Sequence, residues 1–336
     1  MAIFTDVLLD VTKNGHKLPT NEYKEFGLHP IIDQGQNDIA GYTDETSGLF
    51  SDVPAIIFGD HTRVIKYVDA PFFIGADGVK ILKAKDNKAN YKFLYYALSS
   101  AKIPNTGYNR HFKWLKEVDI PTYTEREQSQ IVSELDKVTA LIDLRKEQLE
   151  KLDMLVKSRF IELFGDIHEP SKWEKKPWSE LVTIQNGRDY KNILVESGGY
   201  PVYGTGGEMA RASDYLCPEN TIIVGRKGTI NNPLLVKEKF WNVDTAFGVI
   251  VGNQLHYQYF YNFCRMFDFS TLNKQAVLPS TTKADLLKIE IAVPPMELQN
   301  QFTAFVEQTD KSKFEVNKSL EKLEILKKAL MQKYFG

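Results

Sequence analysis

Two glycine-containing loops carry residue types that are common in phosphate and nucleotide chemistry. The loop from Gly225 to Thr229 reads Gly-Arg-Lys-Gly-Thr, whereas a phosphate-binding loop needs the order Gly-Lys-Ser/Thr. The loop from Gly204 to Gly207 lacks the GxGxxG pattern of a dinucleotide fold and is typical of a tight turn. Neither loop therefore predicts nucleotide binding.

Catalytic and metal-binding patterns are also incomplete. Asn232-Pro233 lacks the second proline and the aromatic residue of the Asn-Pro-Pro-aromatic site found in adenine methyltransferases. His168-Glu169 is an isolated pair that we interpret as exposed linker, and Cys217 and Cys264 have no CxxC or histidine spacing. The six histidines form no Ser/His/Asp or Cys/His grouping. The sequence predicts no catalytic residue, no metal site and no cofactor in this chain.

The elements that must position these loops are two copies of one long helix. The first copy is predicted from Thr124 to Phe164, and the second follows Pro294-Pro295 and reaches Phe335. Three pairs of identical residues are each separated by 171 positions, namely Ile120 and Ile291, Gln128 and Gln299, and Gly165 and Gly336. No gap is needed across the whole segment, so the helix is an internal repeat.

Apolar residues recur along both helices at steps of three, four and seven, which is a heptad seam. The seam residues are Ile131, Leu135, Val138, Ile142, Leu149, Leu152, Val156 and Leu163, and then Phe302, Val306, Thr309, Val316, Leu320, Leu323, Leu330 and Tyr334. Thr124 and Glu127 form a capping-box pattern at the start of the first copy. Since neither helix can bury its seam alone, we predict that the two pair as a coiled coil, with homodimerisation as the alternative.

The segments before the helices repeat less strictly. The run from Ile56 to Gly59 matches the run from Ile222 to Gly225 at a step of 166, and His29-Pro30 matches Tyr200-Pro201 at 171. These segments consist mostly of short β-rich runs, each with one short aromatic helix, 90–101 or 256–267. Drifting steps indicate loop insertions on a shared fold, so the sequence predicts a pseudo-twofold molecule.

The composition excludes several classes of protein. Hydrophobic residues make up 43% and charged residues 26% of the 336 positions, as expected for a globular protein of two or more domains. The longest apolar runs are too short to span a bilayer, and no signal peptide is recognisable. Two cysteines without metal spacing favour a reducing cytosol, so we expect a cytoplasmic protein. The net charge of −2 gives no global indication of nucleic-acid binding.

Further motifs accompany the repeat. They are Ile-x-x-Pro-Pro-x-Glu-x-Gln at Ile291–Gln299 with a looser copy at Ile120–Gln128, and the runs Ser158–Asp166, Tyr200–Gly207 and Arg226–Ile230. With these motifs in this order and duplicated, nearly the whole chain resembles the DNA specificity subunits of Type I restriction–modification systems. The first half differs at one point, because Asp60-His61-Thr62-Arg63 stands where the second half has Arg226-Lys227-Gly228-Thr229.

This resemblance implies an α+β fold in which a pair of long antiparallel helices, a coiled coil, separates two similar mixed α/β target-recognition domains. It assigns residues 1–120 to the first domain, 121–165 to the central conserved helix, 166–293 to the second domain and 294–336 to the C-terminal helix. Each domain is expected to read one half of a bipartite site in double-stranded DNA while the helices set the spacer. The implied partners are two DNA adenine methyltransferase subunits and, optionally, a restriction–translocase subunit, which would carry S-adenosylmethionine, ATP and Mg.

Base edges in the major groove are read best by Arg, Lys, Asn, Gln, Ser and Thr, so the candidates lie in polar loops between apolar strands. In the first half they are Gln34, Gln36, Asn37, Tyr42, His61, Arg63, Tyr108, Asn109, Arg110 and His111. In the second half they are Thr205, Glu208, Arg211, Arg226, Lys227, Thr229, Lys274, Gln275, Ser280, Thr281 and Thr282. The alternative for each is an ordinary solvated loop residue, and a basic residue beside Gly, Thr or Asn is favoured because it offers charge and room for the duplex.

The resemblance also implies that the methyltransferase docks on the helices, where the candidate exposed contacts are Gln128, Arg145, Arg159, Gln299 and Lys327. Residues 1–120 carry 14 basic and 15 acidic side chains, and residues 166–293 carry 14 of each. We therefore expect weak DNA binding by the chain alone. The alternative function is a non-catalytic coiled-coil scaffold with two β-rich domains that bind proteins or other ligands, which suits the near-neutral charge but leaves the doubling unexplained.

Overall fold

The computed structural model describes residues 1–75, 77–272 and 280–336. The chain forms two compact units, and each long helix contributes to both of them. Unit 1 comprises Met1–Lys146 and Ser319–Gly336, and unit 2 comprises Glu147–Lys318. Each unit is described by itself below.

The elements follow one another in the same order in the two halves of the chain. The strands are β1 (Ala2–Ile3), β2 (Leu8–Asp10), β3 (His29–Ile32), β4 (Gly41–Thr43), β5 (Ala55–Gly59), β6 (Ile65–Val68), β7 (Phe73–Ile74), β8 (Val79–Ala84), β9 (Asp119–Ile120), β10 (Lys175–Pro177), β11 (Val182–Asn186), β12 (Tyr200–Gly204), β13 (Gly207–Ala212), β14 (Thr221–Gly225), β15 (Leu234–Val236), β16 (Trp241–Asn242), β17 (Ala246–Val251) and β18 (Glu290–Ala292). The α-helices are α1 (Phe4–Val7), α2 (Tyr91–Ser99), α3 (Phe112–Leu115), α4 (Glu125–Phe164), α5 (Trp178–Leu181), α6 (Tyr257–Met266), α7 (Lys283–Leu286) and α8 (Met296–Phe335).

Unit 1 is built on a four-stranded antiparallel sheet in the order β2-β8-β5-β6. A three-stranded sheet, β4-β3-β7, has β3 and β7 parallel, and β1 pairs with β9. The central strand β5 is buried along its whole length, which explains its unbroken apolar run. Its side chains alternate between two apolar clusters, since Ile56 and Phe58 join the core that contains α2 whereas Ile57 packs with Ile81.

In unit 1 the first part of α4 packs antiparallel against the last part of α8. The buried Ile131 and Leu135 lie in one apolar cluster with Leu330. The hydroxyl group of Tyr334 donates to the Glu134 carboxylate over 2.6 Å. The predicted capping box is present, because the Thr124 N–H donates to the Glu127 carboxylate over 2.8 Å and starts α4. The heptad seam is therefore used within the chain.

Unit 2 repeats the topology of unit 1 strand for strand. Its four-stranded sheet has the order β11-β17-β14-β15, its three-stranded sheet the order β13-β12-β16 with β12 and β16 parallel, and β10 pairs with β18. The central strand β14 is again wholly buried, and its side chains alternate in the same way. Ile222 and Val224 join the main core, while Ile223 joins a smaller cluster with Phe240. The predicted internal repeat is confirmed as a repeat of fold.

The helix seam of unit 2 is aromatic. Phe160 and Phe164 from the end of α4 each lie 5.5 Å, centroid to centroid, from Phe302 near the start of α8. Lys313 Nζ lies 2.8 Å from the Asp153 carboxylate further along, so the two segments run antiparallel. Leu163, which the heptad pattern placed in the seam, is only half-buried, because Phe160 and Phe164 fill the space beside Tyr259 and Phe302.

Candidate nucleic-acid interface

In unit 2 the loop that follows β14 presents Arg226 and Lys227 to solvent. The backbone of this loop is held on two sides. The N–H of Arg226 donates to the carbonyl group of Thr245 over 2.9 Å, and the carbonyl group of Arg226 accepts the N–H of Thr281 over 3.0 Å. Lys227 pairs with Ser280 as an isolated antiparallel bridge. The structure thus brings together two pairs of candidate residues, Arg226 with Lys227 and Ser280 with Thr281, from two distant segments of the chain.

Two of the unit 2 candidates serve the loop's own structure. Thr281 is only 3% exposed, and its hydroxyl group donates to the carbonyl group of Gly225 over 2.7 Å. This burial contradicts the expectation that Thr281 contacts DNA, since an enclosed hydroxyl group cannot reach a base edge. Thr282 is exposed, but its hydroxyl oxygen accepts the N–H of Asp285 over 3.2 Å and so caps α7.

The charge of the loop after β14 is largely open to an incoming ligand. The Arg226 guanidinium group makes a long hydrogen bond of 3.4 Å to the carbonyl group of Asp244 and lies 5.9 Å from the centre of the Phe247 ring. Thr229 is exposed on the same loop. Within residues 1–75, 77–272 and 280–336, no carboxylate is hydrogen-bonded to the Arg226 guanidinium group, so it can approach a phosphate or a guanine edge.

The other unit 2 candidates lie on different segments. Thr205 is half-buried in the turn between β12 and β13. Arg211 is on β13, where its Nε lies 2.9 Å from the carboxylate of Glu208. This ion pair neutralises Arg211, so a contact with DNA there would have to compete with Glu208. Lys274 and Gln275 lie outside the described residues.

In unit 1 the equivalent turn after β5 carries His61 and lies beside the loop that holds Gln34. The Gln34 side chain is fixed at both ends of its amide, because Oε1 accepts the N–H of His61 over 3.2 Å and Nε2 donates to the Asp77 carbonyl group over 2.9 Å. Gly78 has a φ angle of +90°, and a Cβ atom there would lie 2.7 Å from His61 and 2.8 Å from Gln34. A side chain at position 78 would be strained by the positive φ angle and would collide with His61 and Gln34, so this position requires glycine.

An aromatic pair, the exposed Tyr108 and the half-buried His61, lies beside Gln34. The Tyr108 side chain is 88% exposed and stacks on His61 with ring centroids 4.6 Å apart and an angle of 7° between the planes. In the same loop the Asn109 amide group donates to the carbonyl group of Thr106 over 2.6 Å, and Arg110 is exposed. Hydrogen-bonding groups beside a flat apolar surface are suited to the edge and the methyl group of a base.

His111, predicted to contact DNA, is fully buried. Its backbone N–H and its ring Nδ1 both donate to the carbonyl group of Asp60, over 2.7 and 2.9 Å. Because a carbonyl oxygen can only accept, Nδ1 carries the proton. This arrangement contradicts the prediction for His111 and reveals a residue that the sequence analysis missed. Asp60 is 3% exposed, and its carboxylate accepts the Phe112 N–H over 2.7 Å.

The remaining unit 1 candidates are more dispersed. Arg63 has a φ angle of +63°, and its guanidinium group donates to the carbonyl group of Ile103 over 3.3 Å. Arg63 and the exposed Gln36 line one cleft of about 460 Å³. Tyr42 lies in β4, where its backbone pairs with Lys24. Arg63 and Gln36 therefore share a surface, and Tyr42 belongs to the three-stranded sheet.

Asn37 is an exposed candidate that is anchored through its backbone. Its carbonyl group accepts a hydrogen bond of 2.5 Å from Lys66 Nζ. Lys66 is 4% exposed and lies 3.6 Å from the Asp33 carboxylate. Burial lowers the pKa of Lys66, and the Asp33 carboxylate opposes that shift. Lys66 thus orders the 33–37 loop from beneath, a role that no sequence pattern indicated.

Three further features concern the described part of the chain: groups of metal-ligand side chains, thiol groups and membrane-spanning helices. Within residues 1–75, 77–272 and 280–336, no group of three or more His, Cys, Asp or Glu side chains could hold a metal ion. Burial raises the pKa of Cys217 to about 12 and also raises that of Cys264, so both thiol groups stay protonated near neutral pH. None of the helices in these residues combines the length and the apolarity needed to cross a membrane.

Comparison with known proteins decides the family. The sequence profile of the Type I restriction modification DNA specificity domain matches the chain twice, over residues 6–154 and 170–327. The chain belongs to this family. The two matches coincide with the two copies of the fold, so the internal repeat is a repeat of the family's own domain.

Individual members of the family resemble the chain to different degrees. The specificity subunit of the Type I restriction enzyme EcoR124I/EcoR124II of Escherichia coli is 28% identical over 246 residues, which is 64% of this chain. The matched region spans 60% of that relative's length. The S subunit of a Type I restriction–modification system from M. genitalium has the same fold, with a TM-score of 0.64 and 18% identity over 99% of this chain and 95% of the other. A chain from a structure on complex assembly of the type I R-M system gives a TM-score of 0.56 at 16% identity, over 99% and 95% of the two chains.

The candidate partner contacts on the family's long helices differ in accessibility. Gln299 is fully buried, with its amide group bonded to the His256 N–H over 2.7 Å and to the Pro294 carbonyl group over 2.8 Å. This burial contradicts the expectation that Gln299 is exposed. Gln128 is half-buried and donates to the carbonyl group of Tyr123 over 3.0 Å.

Three basic candidates on the helices are partly accessible. Arg159 lies 2.8 Å from the Glu162 carboxylate and 5.8 Å from the Phe305 ring, both within unit 2. Arg145 is half-buried. Lys327 lines a groove of about 560 Å³ in unit 1, and burial lowers its pKa. These side chains can offer part of their surface to a partner but are not freely mobile charges.

Proposed function

We propose that the chain is the sequence-specific DNA recognition subunit of a Type I restriction–modification complex, in which each recognition domain reads one half of a bipartite site. The proposal rests on one observation: the same sheet topology occurs twice in the chain, and both copies match the DNA specificity domain family. In each copy, polar side chains from separate loops meet next to the end of the central buried strand. Two equivalent readers in one chain suit two half-sites in one duplex.

The long helices are proposed to set the spacer between the half-sites. Each helix is 40 residues long, about 60 Å at 1.5 Å per residue, and each contributes to both units. Half-sites on B-form DNA keep a fixed spacing, so a reader with two domains needs stiff connections of constant length. We therefore propose residues 1–120 and 166–293 as the two recognition domains, and residues 121–165 and 294–336 as the helices that set the spacer.

We further propose that two DNA adenine methyltransferase subunits dock on the helices. The supporting observation is an exposed apolar pair that occurs in both helices at the repeat distance. Met154 and Leu155 on α4 are 67% and 48% exposed, and Ile325 and Leu326 on α8 are 62% and 45% exposed. Large apolar side chains at corresponding surface positions suit two copies of one partner. A restriction–translocase subunit would join through the methyltransferases.

The chain itself is proposed to be non-catalytic and to act in the cytoplasm. S-adenosylmethionine, ATP and Mg are assigned to the partner subunits. With 14 basic and 15 acidic side chains in residues 1–120, and 14 of each in 166–293, electrostatic attraction to DNA is weak. We expect the isolated chain to bind its site poorly at physiological salt, and the methyltransferase complex to bind it tightly. Tight binding by the chain alone in a gel-shift titration would contradict this expectation.

The direct test is to co-express the full chain with a DNA adenine methyltransferase subunit of a Type I system, purify the complex, and map methylated adenines in the host genome. We expect one discontinuous motif with two specific halves and a constant spacer. The matched control is the methyltransferase expressed without the chain, which should leave the motif unmethylated. A chain that co-purifies with no methyltransferase, or a complex that methylates a short continuous motif, would contradict the proposed function.

A further inference from the structure

The Asp60 backbone and side chain connect three loops of unit 1. The N–H of Asp60 donates to the carbonyl group of Gly78 over 2.6 Å, and its carbonyl group accepts both hydrogen bonds from His111. The carboxylate accepts the Phe112 N–H over 2.7 Å at the start of α3. These bonds join the turn after β5, the loop before β8 and the loop before α3.

Two of these loops carry candidate DNA contacts of unit 1, namely the half-buried His61 after β5 and the exposed Tyr108 before α3. His61 follows Asp60 directly, and its N–H holds Gln34. Tyr108, stacked on His61, precedes His111 by three residues in the loop that Asp60 anchors. Movement of the 106–112 loop would therefore separate Tyr108 from His61 and change the surface that the three readers present.

In unit 2 the described segment before α7, residues 280–282, is anchored with arginine rather than an acidic residue at the position of Asp60. There Arg226 stands in place of Asp60, its carbonyl group accepts the Thr281 N–H, and the Thr281 hydroxyl group donates to Gly225. Thr281 thus takes the place of the buried His111, and in unit 1 the Asp60 carboxylate adds a bond to the Phe112 N–H. The carboxylate is therefore a feature of the first unit's own interface, since the shared fold is also built with arginine at this position.

We propose that Asp60 is a positioning residue for the half-site that unit 1 reads, holding Tyr108 and His61 in register without touching DNA. This proposal rests on the proposed function of the chain. A buried carboxylate bonded to a backbone N–H loses that bond when truncated to alanine but can keep it as asparagine, whose side-chain oxygen also accepts. Asp60→Asn should therefore rescue what Asp60→Ala loses.

The test compares wild type, Asp60→Ala, Asp60→Asn and the exposed control Asp69→Ala, each as a full chain in complex with its methyltransferase. Methylation rates are measured on duplexes that carry the intact site or a single base change in one half-site. We expect Asp60→Ala to lower discrimination at the unit 1 half-site by about tenfold. Discrimination at the other half-site should stay unchanged, Asp60→Asn should remain within about threefold of wild type, and Asp69→Ala should match it.

Unchanged discrimination in Asp60→Ala, or an equal loss at both half-sites, would overturn the proposal. Hydrogen exchange of the 106–112 loop in the same full chains gives an independent readout. We expect faster exchange there in Asp60→Ala, with α6 in unit 2 unaffected, and equal protection in all variants would also overturn it. If the wild-type complex discriminates at neither half-site, the proposed DNA function fails, while the exchange data still decide whether Asp60 holds the loop.

Discussion

The loops that follow the two central strands occupy equivalent places in the fold but differ in chemistry. After β14, unit 2 presents the exposed cations Arg226 and Lys227. After β5, unit 1 buries Asp60 and presents the stacked rings of His61 and Tyr108. In both units the N–H of the residue after the central strand donates to the carbonyl group of the residue before the neighbouring strand, β8 or β17. The carbonyl group of the same residue accepts a backbone N–H from the segment before the short helix, α3 or α7. The fold thus fixes the position of the candidate DNA-contacting loop in each unit, whereas a few side chains determine the chemistry of that loop.

The largest expected effect concerns the seams that support the two units. Phe302 in unit 2 is fully buried against Phe160 and Phe164, and Ile131 in unit 1 is its counterpart in the repeat, 3% exposed. We expect Phe302→Ala to lower the free energy of unfolding by about 3–5 kcal/mol and Ile131→Ala by about 2–4 kcal/mol, because each leaves a cavity. Urea denaturation measures both.

The control for the seam prediction is Asn300→Ala on the exposed face of α8, which should change stability by less than about 0.5 kcal/mol. If Phe302→Ala behaved like this control, the helices would not be packed through the repeated seam.

The second effect tests whether unit 2 uses charge. We expect the double substitution Arg226→Ala and Lys227→Ala to weaken binding of the complex at the unit 2 half-site by about tenfold to a hundredfold, since a good contact to a base contributes about 1–3 kcal/mol. Loss of phosphate contacts would also make binding less dependent on salt. Fluorescence anisotropy at several salt concentrations measures both changes, and the exposed Lys191→Ala serves as the control. Unaltered affinity would exclude this loop from the interface.

The third effect tests whether unit 1 uses flat aromatic surface. Tyr108→Ala removes the partner that holds the His61 ring, and an aromatic pair contributes about 0.5–1.5 kcal/mol, so we expect an affinity loss of about fivefold at the unit 1 half-site. This loss should be independent of salt, unlike that in unit 2. Tyr108→Phe keeps the ring and should bind within about twofold of wild type. Equal losses in Tyr108→Ala and Tyr108→Phe would assign the effect to the hydroxyl group.

The smallest effect is electrostatic and concerns the helix contact of unit 2. Burial raises the pKa of Asp153, but the nearby Lys313 and Arg265 outweigh it and hold that pKa below its ordinary value of 3.8. The lowered pKa means that the pair stabilises the folded state at neutral pH and that this contribution is lost as the pH falls through the lowered value.

We expect Asp153→Asn to cost less than about 1 kcal/mol at pH 7, because the carboxylate is half exposed to solvent. The difference from wild type should shrink below pH 3.8. Urea midpoints at both pH values measure it, with the exposed Glu150→Gln as the control. A difference that grows in acid would contradict the assigned ion pair.

Features that depend on periodicity could be predicted from the sequence. The heptad positions Ile131, Leu135, Phe302 and Val306 are buried as expected, and the apolar runs at 55–58 and 221–224 form the central strands. Both features are local consequences of burying one face of a helix or both faces of a strand.

The interface was harder to predict, because burial of a polar side chain depends on contacts with distant residues. His111, Thr281 and Gln299 are polar residues of the types expected at an exposed interface. Each is nevertheless buried and hydrogen-bonded to a segment more than 40 residues away. Asp60 could have been noticed, since an acidic residue directly after a fully apolar strand needs a local partner to be buried. The partner, the N–H of Phe112, cannot be read from spacing.

The most direct test of two independent readers is to replace residues 1–120 with the matching segment of another member of the family and map methylation by the resulting complex. The account predicts that one half of the methylated motif changes while the other half and the spacer length stay the same. A change in both halves, or in neither, would contradict it.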